Sequence, residues 1–131
     1  MTNLSDYSIL KSLPNPSNEG YEIKHACPEL TFLGADGQPD FATLITFFYP
    51  DKFIIELKSL KQYLYQFRMK VCSYERLINM IYSDLMFVYK PNRLRISMST
   101  NVRGGISSEL IIDSDWKCRG GQEQFKDWKE Q

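Results

Sequence analysis

A chain of 131 residues, 43% of them hydrophobic and 24% charged, fits one globular domain with a modest core. Sixteen Lys and Arg balance sixteen Asp and Glu, so net charge gives no reason to expect direct nucleic-acid binding or an acidic membrane surface. No apolar run approaches the ~18 residues that span a bilayer, the N-terminus MTNLSDYSIL has no leader-like basic and apolar regions, and a soluble cytoplasmic protein is expected.

Residues 1–20 carry LPNPSNEG, whose prolines and glycine break any regular element, and read as a flexible arm ahead of a domain over residues 21–113. Tyr21 to Cys27 predicts a short strand that Pro28 ends. FLGADGQPDFATL then reads as a Gly-rich turn delivering one acid, Asp40, to the start of an apolar strand. An Asp there is either a solvated turn residue or an acid held at a site. Phe41 to Tyr49, FATLITFFY, is apolar on both parities, which predicts a strand covered on both faces. PDK turns it into FIIE, expected as its hairpin partner.

From Ser59 the period changes, with Leu60, Tyr63, Leu64 and Phe67 on one helical face. Ser73 is a suitable N-cap for a second helix reaching Tyr89, with Pro91 as its stop. In RLRISMST, Leu94, Ile96 and Met98 alternate with polar residues as in a half-buried strand. ISSELIID makes a last strand after Gly104-Gly105, and residues 114–131 form a polar tail. The order is ββααββ, an α+β two-layer unit with two helices on one face of an antiparallel sheet. Its edge strands would be left unpaired, so oligomerisation by edge pairing is expected.

Several side chains carry possible chemistry. Lys58 and Lys61, beside a helix start, suit either phosphate or a solvated face. Glu75 falls in the first turn of the second helix, where the dipole favours an acid in any case. The cysteines, Cys27, Cys72 and Cys118, form no CxxC pair, and with one histidine, His25, a His/Cys zinc site has too few ligands.

Taken together, CPELT, GQPDFAT, ELKSLKQYLYQFR, YERL and NVRGGI in ββααββ order resemble the tunnelling-fold family, and within it the NADPH-dependent 7-cyano-7-deazaguanine reductases, the nitrile reductases of queuosine biosynthesis. The similarity runs from about Glu22 to Ile112. It implies a barrel-like homo-oligomer of stacked pentamers, with a purine-like substrate at subunit interfaces. It assigns Glu75 to the guanine-like edge of the base, where a carboxylate can accept two N–H bonds. Glu56, Lys58, Ser59 and Lys61, with Arg103, Gly104 and Gly105, are assigned to NADPH.

The family reaction adds a cysteine thiolate to the nitrile carbon and reduces the thioimide to an amine in two hydride transfers, with the aspartate matching Asp40 as proton donor. This chain departs from the pattern at the nucleophile. Counting seven residues back from Asp40 reaches Leu33, and counting forward from CPELT reaches Gly34; neither is a thiol. Tyr74 replaces the histidine that precedes the family's glutamate. Leu33, Gly34 and Tyr74 are therefore expected beside the base. Cys72, three residues before Glu75 at a helix start where the dipole would lower its pKa, is the candidate substitute thiol. Without a thiol, a protein that binds the base unreduced, or one with other chemistry on a purine or pterin, is the alternative.

Overall fold

The computed structural model describes residues 5–101 and 104–115. Its centre is β3 (Pro39–Tyr49), an 11-residue strand with β2 (Ile23–Leu33) on one side and β5 (Arg93–Thr100) on the other. β6 (Glu109–Asp113) completes an antiparallel sheet in the order β2-β3-β5-β6. Alternation puts Ala42, Leu44, Thr46 and Phe48 on the buried face of β3, in register with Met98, Ile96 and Leu94 of β5. Two helices, α1 (Leu57–Tyr65) and α2 (Tyr74–Tyr89), cover that face, burying Leu60, Tyr63, Leu77, Ile81 and Leu85 against it.

Both helices start where a side chain can satisfy the first free N–H groups. Glu56 caps α1, its carboxylate accepting from Lys58 N and Ser59 N at 3.0 Å each. Ser73 caps α2 by accepting from Arg76 N, and α2 ends at Lys90, whose φ of 47° precedes Pro91. Between the helices, the 3-10 segment Gln66–Met69 buries Phe67.

Several expectations differ from the structure. FII, as β4 (Phe53–Ile55), does not pair with β3; it pairs with β1 (Ser12–Pro14) in a separate two-stranded sheet. Both hydrogen-bonding edges of β3 are taken by β2 and β5, so no ladder position is left for it. The segment read as a flexible arm is therefore structured over its described part. Leu10 enters the core, the Lys11 carbonyl accepts from Tyr89 Oη at 2.7 Å and from Glu56 N at 3.1 Å, and Gln66 brackets Asp6 through both its amide atoms. Proline and glycine broke long elements there but left enough residues for a short strand.

Secondly, Pro28 does not end β2. The strand runs through it with a register shift between Cys27 and Leu30, as an edge strand with a bulge can tolerate the missing N–H. Thirdly, FATLITFFY is covered on one face only. Its other parity, Thr43, Ile45, Phe47 and Tyr49, is half-buried, and Phe41 is 45% exposed. Crossing charges screen part of that face: Lys24 lies over Phe47 and Arg93 over Tyr49, and Arg93 also forms two hydrogen bonds to buried Asp113.

Candidate functional site

The β2–β3 turn is tight. Gly34 N donates to Gln38 O and Gly37 N to Gly34 O, both at 2.8 Å, and Gly37 has a φ of 79°, which glycine adopts without strain. Asp40 is the register partner of Phe32, so its side chain enters the helix layer. There Tyr74 Oη donates to Asp40 Oδ1 at 2.6 Å, and Phe41 N donates to the same oxygen at 3.0 Å. The Tyr74 ring stands edge-on to Phe32 with centroids 5.0 Å apart. Asp40 is thus an oriented acid and not a solvated turn residue.

The two candidate nucleophile positions lie differently. Leu33 pairs with Pro39, one step from the Phe32–Asp40 pair, and so takes the opposite parity to Asp40. A Cβ added to Gly34 would lie 3.6 Å from Asp40 Oδ2 and 3.4 Å from Asp36 Oδ1. Cys72 is brought close in the backbone: its N–H donates to Leu33 O at 3.0 Å, while Leu33 N donates to Lys70 O at 3.0 Å. Its side chain, however, is buried in the core, and burial pushes the thiol pKa up against the smaller opposing effect of Arg76. The expected lowering by the helix dipole is corrected: Cys72 lies outside the capped first turn, and desolvation of the thiolate dominates.

The other candidates separate into two places. Glu75 is exposed on the first turn of α2 and faces a shallow cavity with Ser5, Arg76, Asn79 and Asp84. Gly104 and Gly105, with φ of 60° and 82°, turn the chain between β5 and β6; Thr100, where that connection leaves the sheet, is opposite Ala42, near Asp40. Arg103 and Cys118 lie outside the described residues. Glu56, Lys58, Ser59 and Lys61 sit at the start of α1. Ser59 is fully buried, its hydroxyl accepting from Lys11 N at 2.9 Å and donating to Glu56 O at 2.7 Å.

Lys58 and Lys61 open instead onto a groove of about 760 Å³ between α1 and the edge strand β2. Leu30, Leu44, Leu60, Leu64 and Leu85 form its apolar walls, and Lys24, His25 and Thr31 follow its strand side. Tyr65 and Arg68, stacked with 4.1 Å between guanidinium and ring centroid, close the helix side. Among the described residues neither lysine ammonium has an ion pair. Burial lowers the pKa of His25.

The model of the family described as QueF-like protein matches residues 39–119. A relative from Nitrosospira multiformis, named NADPH-dependent 7-cyano-7-deazaguanine reductase, is 42% identical over 106 residues, covering 79% of this chain and 76% of its own. The chain belongs to the QueF-like family. Relatives of the same name from Rhodopirellula baltica and Thermomicrobium roseum are 36% and 40% identical, with 79% and 85% of this chain covered and 87% and 88% of theirs. The crystal structure of an apo archaeosine synthase QueF-Like aligns with a TM-score of 0.61 over 75% of this chain and 95% of that one, at 12% identity, and shares the fold.

In this QueF-like chain the sequence reading missed the groove's floor. Thr46 Oγ1 is fully buried and has no hydrogen-bond partner among the described residues. The signal was present, because in FATLITFFY Thr46 is the one hydroxyl on the parity of Ala42, Leu44 and Phe48. Tyr65 was also missed, since on a helix it reads as an ordinary solvated position.

Proposed function

We propose that this protein binds 7-cyano-7-deazaguanine or a close purine-like relative together with NADPH, in a cytoplasmic homo-oligomer, and that its family reaction is NADPH-dependent reduction of the nitrile to an amine. The observation that carries this is the fixed position of Asp40. A carboxyl group held through one oxygen by Tyr74 and its own strand is oriented for proton transfer to a nitrile nitrogen at the end of the sheet.

Glu75 is assigned to the amidine-like edge of the base. It lies one residue from Tyr74, so the hydrogen bond that orients Asp40 also fixes the start of the helix carrying the anchor. Leu33 and Gly34 border the same end of the sheet. Among the described residues the outer edges of β2 and β6 have no strand partner, which supports assembly into rings, for which stacked pentamers are the family arrangement.

The groove fits a dinucleotide: it combines apolar walls with Lys58, Lys61 and Arg68 for phosphates. NADPH would supply the hydride. Lys58 and Lys61 would hold its charge, while Glu56 and Ser59 act indirectly by fixing the start of the lysine-bearing helix. Arg103, Gly104 and Gly105 are assigned to the same ligand from the β5–β6 connection.

A second reading, a deazapurine-binding protein that does not reduce its ligand, is favoured by the lack of a thiol at residues 33 and 34 and by the buried, raised-pKa thiol of Cys72. Incubation with NADPH and 7-cyano-7-deazaguanine, followed by absorbance and mass spectrometry, separates the two. Formation of the aminomethyl product with NADPH oxidation is expected from the first reading. Base binding by calorimetry without NADPH loss supports the second, and absence of base binding overturns both.

A further inference from the structure

Three exposed cations, Lys58, Lys61 and Arg68, follow one another along the helix side of the groove between α1 and β2. Glu29 is the one carboxylate among the residues lining it, and among the described residues no ion pair joins it to any of the three.

The three are presented differently. Lys58 and Lys61 stand three residues apart on α1, where side chains of one face begin about 5–6 Å from each other. Two ammonium groups so placed repel, and one group of double negative charge relieves both. Arg68 lies on the 3-10 segment after α1, its guanidinium held 4.1 Å from the centre of the Tyr65 ring. A guanidinium on an aromatic ring gives up rotamer freedom but no hydrogen-bond donor, so its planar fork meets an anion already oriented.

Their order is fixed by the fold. Arg68 comes two residues before Lys70, whose carbonyl accepts from Leu33 N beside the Phe32–Asp40 pair, whereas Lys58 opens α1 at the other end. Counted outward from Asp40, the cations are therefore Arg68, Lys61 and Lys58. A dinucleotide reacting through its nicotinamide at Asp40 presents its diphosphate first and the 2′-phosphate of its adenosine half afterwards.

We propose that Arg68 takes the diphosphate and that Lys58 with Lys61 takes the 2′-phosphate, so that the lysine pair makes the groove select NADPH over NADH. This rests on the reading of the groove as the NADPH site. The charges agree with the order. A phosphate monoester carries about −1.5 to −2 at pH 7, the match for two ammonium groups, while each phosphate of the diphosphate carries a single charge and offers oxygens in pairs to a bidentate arginine. NADH lacks the monoester and gives the lysine pair nothing to hold.

The test is calorimetric binding of NADPH and NADH to the full-length protein, to the double variant Lys58→Ala, Lys61→Ala and to Arg68→Ala. The parent should bind NADPH about tenfold or more tightly than NADH. The double variant should lose that preference, with NADPH weakened about tenfold to a hundredfold and NADH unchanged, whereas Arg68→Ala should weaken both nucleotides by a similar factor of about ten. Arg68→Lys, which keeps the charge but not the planar fork, should recover only part of that loss. All three side chains are exposed, so denaturant midpoints should stay at the parent's value and separate lost binding from lost folding. Equal weakening of NADPH and NADH in the double variant overturns the proposal, as does an Arg68→Ala loss confined to NADPH, which would put the 2′-phosphate at the Asp40 end. Equal affinity of the parent for the two nucleotides overturns it too. If the parent binds neither, the cofactor reading itself fails and this inference with it.

Discussion

The two ends of the helix-covered sheet face differ in how their polar groups are arranged. At the Asp40 end, Tyr74, the Phe41 N–H and the Asp40 carboxylate are joined to one another. At the groove end, Thr46 has no partner among the described residues and Lys58 and Lys61 have no ion pair. Internal pairing orients an acid. Exposed lysines without a carboxylate partner cost no stability and stay available to an anion. Among the described residues the chain thus combines an organised acid that has no reactive thiol beside it with an open groove edged by lysines and walled by leucines.

The largest expected effect tests the anchor at the Asp40 end. Replacing Glu75 by Leu removes the carboxylate proposed to accept two base N–H groups, and calorimetry should show loss of 7-cyano-7-deazaguanine affinity by a hundredfold or more, at about 1.5–3 kcal/mol for each charged hydrogen bond. The side chain is exposed, so folding and oligomeric state should be unchanged. Unchanged base affinity would remove Glu75 from the site.

A thiol introduced at the same end sharpens the comparison next. Gly34→Cys would put its Cβ 3.6 Å from Asp40 Oδ2, whereas Leu33→Cys would fill the other candidate position, seven residues before Asp40 and on the opposite strand parity. Addition of the thiolate to the nitrile carbon, with the nitrile nitrogen protonated by Asp40, retains every atom of the base. Intact-protein mass spectrometry should therefore show an adduct of the base's full mass in at least one variant and none in the parent. Failure of both variants, with base still bound, would show that the nitrile does not lie beside the turn.

At the groove end, Lys58→Ala with Lys61→Ala should weaken NADPH about tenfold to a hundredfold and flatten its salt dependence, leaving base affinity unaltered. Equal loss for both ligands would place them in one site and erase the contrast between the two ends.

Much of this was legible in the sequence, for identifiable reasons. The helix over residues 74–89 was readable because its cap, apolar stripe and proline stop all agree, and β5 because Leu94, Ile96 and Met98 alternate without interruption. The pairing of β4 with β1 was not legible, since adjacency along the chain favours a hairpin, and only the occupation of both edges of β3 forbids it. Asp40 could be singled out by its turn, but its orientation depends on Tyr74, 34 residues away. The thiol of Cys72 was misjudged because helix position is local whereas burial is tertiary.

On the open face of the sheet, buried Asp113 takes two hydrogen bonds from Arg93, at 2.8 and 3.1 Å, and lies 3.7 Å from Arg95. Burial raises its pKa, but these bonds, the Asp115 N–H and the two arginine charges outweigh it, leaving the pKa below 3.8. A lowered acid contributes stability above its unfolded pKa and loses it as pH falls through the folded value. Asp113→Asn should cost about 2 kcal/mol at pH 7 by denaturant unfolding, with half-exposed arginines discounting the full value of a buried pair. The cost should shrink below pH 4, and neither ligand's affinity should change. A ligand-affinity loss would couple the open face to the site.

The smallest effect concerns His25, the single histidine of the chain, across the ladder from Thr46. Burial lowers its pKa from 6.5, so the folded state resists the proton that the unfolded chain accepts. Stability is then fully present above pH 6.5 and declines as pH falls from there toward the folded value. Denaturant midpoints should drop slightly between pH 7.5 and 5.5, and His25→Gln should remove that slope, because no other side chain ordinarily titrates in this window. Phosphates held by Lys58 and Lys61 in the same groove would favour the protonated ring, so saturating NADPH should change the difference in slope between the parent and His25→Gln. An unchanged difference between parent and variant on adding NADPH would place the ligand away from His25.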